Sequence, residues 1–194
     1  DIAATENYTG ATGSAVYKVD KTAPEFSLIG EEEYNYGDAI EIGISINDDA
    51  SGYVSFTLDS EDAGTIDVKG ILELKDLAAG HYTLVGTYPG DTNYAEATAE
   101  LEFDVLPIDV IVTVEDVEVA YPNAGSVSIT ASATGTYTIK IGDKTYTAEI
   151  TEAGQTVTVD VDGGLDVGKY PISVSAPETE NHTAVDIANA ATYT

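Results

Sequence analysis

A short motif centred on an asparagine recurs along this chain at a nearly constant spacing. Its three asparagines lie 86 and then 88 residues apart. A second motif, L-x-x-G-x-Y, occurs twice with a spacing of 88 residues. Two independent motifs that share one period indicate a repeat of domain size. The first motif is Glu6-Asn7-Tyr8, Thr92-Asn93-Tyr94 and Glu180-Asn181-His182, and the second is Leu77 to Tyr82 and Leu165 to Tyr170.

The repeat divides the 194 residues into two complete units and part of a third. A shift of 86 residues places Tyr17 over Phe103, so the opening segment resembles the end of a repeat. The short joints before each complete unit lack the Gly/Ser-rich composition of a flexible tether. We therefore predict the final strand of a preceding repeat plus a linker at 1–21, a first sandwich repeat at 22–106 and a second at 107–194.

Alternating apolar and polar residues predict β-strands in both units. Near the end of the first unit, Leu101, Phe103 and Val105 alternate with acidic residues, which is typical of a half-buried strand. Short segments of this kind, with turn signals about every 8–12 residues, are typical of a sandwich. We predict an all-β fold of tandem immunoglobulin-like antiparallel β-sandwiches. The predicted strands are 26–29, 39–46, 52–58, 70–77, 82–88, 94–105, 110–119, 126–133, 136–141, 144–150, 156–161, 170–175 and 183–193.

The charge of the chain excludes several classes of partner. Thirty-five acidic residues against seven Lys give a formal net charge of −28. Such a chain repels nucleic acid and anionic membrane surfaces. No stretch approaches the roughly 20 apolar residues that a membrane helix needs. We therefore expect no nucleic-acid partner and no membrane insertion of this segment.

Residues suited to catalysis are scarce. The chain has no Cys, which excludes disulfides, thiolate zinc sites and cysteine nucleophiles. Its two histidines, His81 and His182, lie in different repeats, so neither a catalytic triad nor a histidine metal site can form locally. No serine carries a glycine-elbow or S-x-x-K signature. The sequence predicts that the protein is not an enzyme.

Three segments of the first unit resemble the bacterial immunoglobulin-like repeat family, which occurs in long adhesin-like surface proteins of bacteria and archaea. They keep the family's order of a G-x-Y corner, a Y-x-G-D turn and an N-Y pair. The second unit departs at Ser175 to Glu178 and at His182. The resemblance implies display at the cell surface or secretion, a stalk or adhesive role and no catalytic activity. The matching segments are Gly52 to Leu58, Leu77 to Tyr82 and Tyr88 to Tyr94.

The L-x-x-G-x-Y motif predicts a structural corner in each repeat. Tyr82 and Tyr170 each follow a glycine by two positions at a predicted strand start. This arrangement is typical of a tyrosine corner, in which the hydroxyl bonds back to the upstream backbone. We expect Gly80 and Gly168 to provide a positive φ at the turn, which a side chain would resist. Stacking of a ligand on the two tyrosines is the alternative.

Acidic loops are the candidate metal ligands. Clustered carboxylates beside glycine suit Ca²⁺, which takes six to eight oxygen ligands. None of the clusters follows the twelve-residue calcium loop, because the twelfth position from Asp59 is Gly70. Solvated turns are the alternative, since Asp and Gly are common turn residues. No other cofactor is expected, and the candidate calcium ligands are Asp48, Asp49, Asp59, Glu61, Asp62, Asp160, Asp162 and Asp166.

We expect a non-catalytic stalk module of an exported adhesin-like protein, which presents or spaces a binding region. Its partners would be adjacent immunoglobulin-like repeats of the same polypeptide, other copies, or a cell-surface glycan or protein. Two alternatives stay open. A ligand-binding module would use Tyr34-Asn-Tyr36 or Tyr88 to Asp91, and a filament subunit would add residues 1–19 to a neighbour's sheet edge. Exposed tyrosines favour binding, and tyrosines in the core favour the stalk.

Overall fold

The computed structural model describes residues 2–194, and every regular element in that part of the chain is a β-strand. The all-β class predicted from the sequence is confirmed. No helix in the described part is long and apolar enough to span a membrane. The strands are β1 (Ser27–Ile29), β2 (Glu33–Asn35), β3 (Ile40–Ser45), β4 (Tyr53–Leu58), β5 (Glu61–Asp67), β6 (Ile71–Leu74), β7 (Gly80–Tyr88), β8 (Ala97–Leu106), β9 (Val112–Val114), β10 (Gly125–Ala131), β11 (Gly135–Ile141), β12 (Lys144–Ile150), β13 (Thr156–Val161), β14 (Tyr170–Ala176) and β15 (Val185–Tyr193).

The strands form four sheets, which make up β-sandwich architecture. Strands before residue 107 form a three-stranded sheet of order β1-β3-β6 and a five-stranded sheet of order β2-β8-β7-β4-β5. Later strands form a three-stranded sheet of order β13-β10-β9 and a four-stranded sheet of order β12-β11-β14-β15. β2 pairs with β8 in parallel, whereas β4 pairs antiparallel with both β5 and β7.

The strand order of the later sheets repeats that of the earlier ones. β9, β10 and β13 follow the arrangement of β1, β3 and β6, and β12-β11-β14-β15 follows β5-β4-β7-β8. The parallel pairing of Tyr34 with Val105 also has a counterpart, because Val117 bridges Tyr193 in parallel. The order of strands therefore recurs along the chain, as the repeated motifs do.

Period-2 alternation buries one face of each main strand. Val54 and Phe56 of β4 are almost fully buried, and so are Phe103 and Val105 of β8, whereas Asp104 between the last two stays in contact with solvent. Successive side chains of a strand point to opposite faces, so this pattern places the apolar residues in the core. Burying one such side chain stabilises the fold by about 1.5–3 kcal/mol.

The later sheets enclose one apolar cluster built from both of them. Ile129 of β10, Ile139 of β11 and Ile172 of β14 are fully buried in it. On the outer face of β10, Ser128 and Thr130 form hydroxyl hydrogen bonds of 3.0 and 2.7 Å with threonines of β13. The alternation of branched apolar residues with Ser and Thr thus separates a dry face from a hydrated face.

The chain divides into two compact units whose limits differ from those of the predicted repeats. Each unit combines segments that are distant in the sequence. The predicted limits 22–106 and 107–194 therefore stay a prediction. The first unit comprises the residues up to Ile29, Ile42–Leu72 and Leu84–Leu101, and the second comprises Gly30–Glu41, Glu73–Thr83 and Glu102–Thr194.

Candidate functional site

The two tyrosines of the L-x-x-G-x-Y motif bond back to the preceding loop. The Tyr82 hydroxyl donates to the carbonyl oxygen of Ala78 at 2.9 Å, and the Tyr170 hydroxyl donates to that of Asp166 at 2.9 Å. The Tyr82 ring also stacks on Phe103, with centroids 5.6 Å apart. This is the geometry that a tyrosine corner requires, because the hydroxyl reaches the backbone four residues upstream.

The glycines of these corners do not have the predicted conformation. Neither Gly80 nor Gly168 has a positive φ, so the expectation of a left-handed backbone at both positions was wrong. A Cβ on Gly80 would lie 3.9 Å from the Tyr82 ring, and one on Gly168 would lie 3.6 Å from the Tyr170 hydroxyl. Both distances are ordinary contacts. The glycines place the backbone beside the tyrosine rings without being required by φ.

A third tyrosine forms the same bond and was missed in the sequence. The Tyr137 hydroxyl donates to the carbonyl oxygen of Ala133 at 2.8 Å, and only 2% of this residue is exposed. Burial raises the pKa of the Tyr137 phenol. Gly135 lies two positions earlier, as in the other two corners, and here φ is +147°. The G-x-Y spacing was a signal that could have identified this residue.

The Asp91 carboxylate connects two segments of backbone, its own turn and the segment at Ser51. Its Oδ1 accepts hydrogen bonds from the amides of Asn93 and Tyr94, at 2.8 and 2.9 Å. Its Oδ2 accepts from the amide and the hydroxyl of Ser51, at 2.9 and 3.1 Å. The backbone amides of Tyr94 and Asn93 hold the pKa of Asp91 well below its usual range, and the Ser51 amide adds to the effect. The preceding Gly90 has φ +84°, and a Cβ there would lie 2.7 Å from the Tyr94 carbonyl oxygen.

Two buried tyrosines complete this arrangement. The Tyr94 hydroxyl donates to Asp49 Oδ1 at 2.6 Å, which raises the pKa of Tyr94 to about 12 together with burial. The Tyr88 hydroxyl donates to the carbonyl oxygen of Ser51 at 3.1 Å, and burial raises the pKa of Tyr88. We call Asp49, Ser51, Tyr88, Asp91 and Tyr94 the Asp91 network. Its polar atoms form hydrogen bonds with one another, which is typical of a site that stabilises the fold.

The candidate calcium ligands of the first unit lie in the β4–β5 hairpin, in the Asp91 network and, for Asp48, beside that network in the sequence. Asp59 is the first of two hairpin residues with positive φ, 48° and 74°, between β4 and β5. Glu61 and Asp62 lie in β5 itself, and Asp62 Oδ1 accepts from the Gly64 amide at 3.0 Å. Asp49 accepts a hydrogen bond from the Tyr94 hydroxyl, and the Asp48 carbonyl oxygen accepts one from Lys69 Nζ at 3.1 Å.

The later candidates are also dispersed. Asp160 lies in β13, and the Asp162 carbonyl oxygen accepts a hydrogen bond from Lys144 Nζ at 3.4 Å. Asp166 provides the carbonyl of the Tyr170 corner. Within residues 2–194, no three acidic or histidine side chains are grouped so that they could hold a metal ion. Calcium binding by these residues stays a prediction.

The loops considered for ligand binding direct their tyrosines toward the protein. Tyr88 is fully buried and packs at a tilt on Phe26, with centroids 6.3 Å apart. Tyr34 packs edge-on against Phe103 at 5.5 Å, and its hydroxyl accepts from the Glu31 amide at 2.9 Å. Tyrosines with large exposed fractions, such as Tyr53 and Tyr121, lie outside these loops.

An open cavity of about 490 Å³ lies near the end of the second unit. Val167 and Tyr121, which belong to its lining, have exposed fractions of 91% and 64%. Tyr170 and Tyr193 also belong to the lining, as do three acidic residues, Glu118, Asp162 and Asp166. No sequence motif indicates this cavity, because its lining comes from three separate parts of the chain.

Comparison with known proteins identifies similar solved structures but no matching family. No family model matches it, and no curated protein matches it. Among solved structures it is similar to the fibronectin(III)-like modules of Clostridium thermocellum CbhA, with TM-score 0.36 and 13% identity over 85% of this chain and 89% of that chain. It is also similar to SGBP-B of the Bacteroides ovatus mixed-linkage glucan utilization locus, solved with a mixed-linkage heptasaccharide, with TM-score 0.33 and 17% identity. That second match covers 90% of this chain and 46% of the other. At this level of similarity, the role of the chain has to be argued from its own residues.

Proposed function

We propose that this chain is a non-catalytic structural module of an exported, adhesin-like cell-surface protein, in which sandwich repeats space or present a binding region. Its place would be extracellular, at the cell surface or secreted. Its nearest partners would be immunoglobulin-like repeats of the same polypeptide.

The observation that carries the proposal is a turn that recurs with the period of the sequence. The amide of Thr5 donates to the carbonyl of Tyr8, that of Asp91 to Tyr94, and that of Thr179 to His182, at 2.9, 3.1 and 2.9 Å. In the second and third turns, the last residue also forms the same kind of bridge to an earlier segment. Thr22 bridges Tyr94 in parallel, as Ile108 bridges His182. Recurrence of a turn with its hydrogen bonds supports an array of like units, since repeat proteins are built from one structural unit used several times.

The use of the polar side chains also favours a structural role. In the Asp91 network and the three tyrosine corners, hydroxyls and carboxylates bond to neighbouring protein groups. These bonds hold loops in place, so a structural role accounts for the groups that form them. Recognition of a glycan or a protein through Tyr34 or Tyr88 is therefore the weaker alternative, since both rings pack against phenylalanines.

Pulling single molecules by their two ends tests the proposal. Two repeats should unfold in two separate steps, each releasing roughly 280 Å of chain, because an extended residue spans about 3.3–3.6 Å. Ile139→Ala removes a fully buried side chain of the later cluster and should lower the force of one step only. A single step, or equal weakening of both steps by Ile139→Ala, would contradict the proposed organisation.

One observation favours the filament alternative as a second candidate. Val16, Tyr17 and Val19 are 98%, 90% and 79% exposed, and the segment around them lies outside every named strand. An apolar, unpaired segment of this kind can add to the sheet edge of another chain. If it does, deletion of residues 1–19 should abolish concentration-dependent assembly measured by light scattering. Assembly that survives the deletion excludes this role.

A further inference from the structure

The turn at 179–182 is held within the second compact unit by two contacts. The side chain of Asn181 accepts a hydrogen bond from the Ala79 amide, at 2.8 Å to Oδ1. The His182 ring meets the Tyr36 ring edge-on, with centroids 5.5 Å apart. Tyr36 and Ala79 thus form a seat for an asparagine-aromatic turn. Both contacts involve the asparagine motif that recurs along the sequence.

Counterparts of the seat line the cavity of about 490 Å³. A shift of 88 residues places Val167 at the position of Ala79. Hydrogen bonding places Val119 at the position of Tyr36, because the Tyr36 amide donates to Leu106 and the Val119 amide donates to Thr194, at 2.8 and 2.7 Å. Val119 and Val167 both line the cavity, and Val167 is 91% exposed. The cavity therefore corresponds in position to the seat formed by Tyr36 and Ala79, where the 179–182 turn is bound.

We propose that this cavity is a docking site for the 91–94 turn of a second copy of the chain, with Asn93 Oδ1 accepting a hydrogen bond from the Val167 amide. The inference rests on the proposed repeat organisation. The 91–94 turn has the same backbone hydrogen bond as 179–182, and its Asn93 is exposed, whereas Asn181 is half-buried. A turn and a cavity on different parts of the chain form a head-to-tail contact, which does not close by itself.

Two features make this contact weaker than the one at 179–182. Tyr94 is the counterpart of His182, but it is buried on Asp49, so the ring contact is not repeated. Each copy also carries a net charge of −28, and Glu118, Asp162 and Asp166 line the cavity. Mutual repulsion should weaken docking at low ionic strength and fade as salt shortens the screening length to about 8 Å near 0.15 M.

Sedimentation equilibrium of the whole chain, up to roughly 1 mM because small contacts are weak, tests the docking site. Asn93→Ala removes the acceptor, and Val167→Asp places a charge in the cavity lining. The matched controls are Thr92→Ala, on the same turn, and Ile111→Asp, at an apolar residue that is 73% exposed elsewhere. Wild type and both controls should associate, more strongly at 0.5 M than at 0.05 M NaCl, and each test variant should stay monomeric.

Mixing the two test variants gives the decisive result. Asn93→Ala keeps an intact cavity, and Val167→Asp keeps an intact turn, so an equimolar mixture should form dimers and nothing larger. Association of either variant at the wild-type level would overturn the docking site, and so would association that only deletion of residues 1–19 removes. A wild type that stays monomeric at all concentrations would also overturn it. Two unfolding steps under force would in that case leave the structural role standing.

Discussion

Three tyrosines stabilise their loops through a bond to the carbonyl four residues earlier, and they differ mainly in burial. Tyr137 is 2% exposed, whereas the hydrogen bond of Tyr82 is partly buried and that of Tyr170 is exposed. A buried acceptor that loses its donor keeps its desolvation cost, while an exposed acceptor regains water. The same substitution should therefore have a graded effect.

We predict that Tyr137→Phe lowers the free energy of unfolding by about 1–3 kcal/mol and that Tyr170→Phe lowers it by less than about 1 kcal/mol. Tyr82→Phe should fall between them. Urea denaturation of the three variants measures the differences. Tyr53→Phe, at a residue that is 63% exposed, is the control and should leave stability unchanged. Equal losses at Tyr137 and Tyr170 would show that burial does not set the value of the bond.

The Asp91 carboxylate predicts a dependence of stability on pH. Its pKa is lowered in the folded state, so its contribution is complete above the unfolded pKa of about 3.9 and is lost as pH falls toward the folded pKa. Asp91→Asn replaces one acceptor by a donor that faces backbone amides. The variant should be less stable than wild type at pH 7, and the difference in melting temperature should shrink below about pH 4. Glu100→Gln, at an exposed residue of β8, serves as control. A difference that stays constant from pH 7 to pH 2 would show that the charge is not involved.

At the scale of the elements, strands were predictable where alternation was clear. β8 and β10 bury the residues that their period-2 pattern selects. The predicted strand 110–119 is divided instead, since β9 ends at Val114 and Val117 then bridges β15. The apolar residues change phase between Val114 and Val117, which is the signal of a strand that leaves one sheet for another. That signal was present in the sequence.

Two strands were missed for different reasons. β5 is rich in Asp, Glu and Gly, which are depleted in strands, and its residues were interpreted as an acidic loop. Its pairing with β4 overrides propensity, because the chain reverses through Asp59 and Ser60 with positive φ at both, as a type I′ turn requires. β2 has only three residues and depends on β8 for its pairing.

The candidate site was predictable only in its local parts. The tyrosine corners join residues four positions apart, so a motif can indicate them. The bond from Ser51 to Asp91 spans 40 residues and depends on the packed fold, as does the bond from Tyr94 to Asp49. No local pattern distinguishes an Asp that accepts four hydrogen bonds from one in a solvated turn. For this reason the sequence could not distinguish Asp49, which accepts the Tyr94 hydroxyl, from the other acidic candidates.

At the scale of the whole molecule, the net charge of −28 causes repulsion among acidic residues that few positive charges offset. Ion pairs such as Lys18 with Asp20 and Lys75 with Glu73 are exposed and contribute little. Self-repulsion favours the expanded, unfolded chain, and salt reduces it within a screening length of about 10 Å at 0.1 M. Stability should therefore depend on ionic strength throughout the molecule.

We predict that raising NaCl from low to moderate concentration increases the melting temperature of the whole chain, because screening relieves repulsion in the folded state more than in the expanded one. Tetramethylammonium chloride should act similarly, since a bulky cation screens charge without entering an oxygen site.

Calcium chloride at matched ionic strength separates the two interpretations of the acidic residues. A shift larger than that with NaCl would show specific binding, because a ligand that binds only the folded state stabilises it by mass action. Asp49→Asn and Asp162→Asn would then locate the site, according to which of them removes the additional shift. An equal shift with all three salts would assign the effect to screening alone, and a melting temperature that does not respond to NaCl would contradict self-repulsion as a limit on stability.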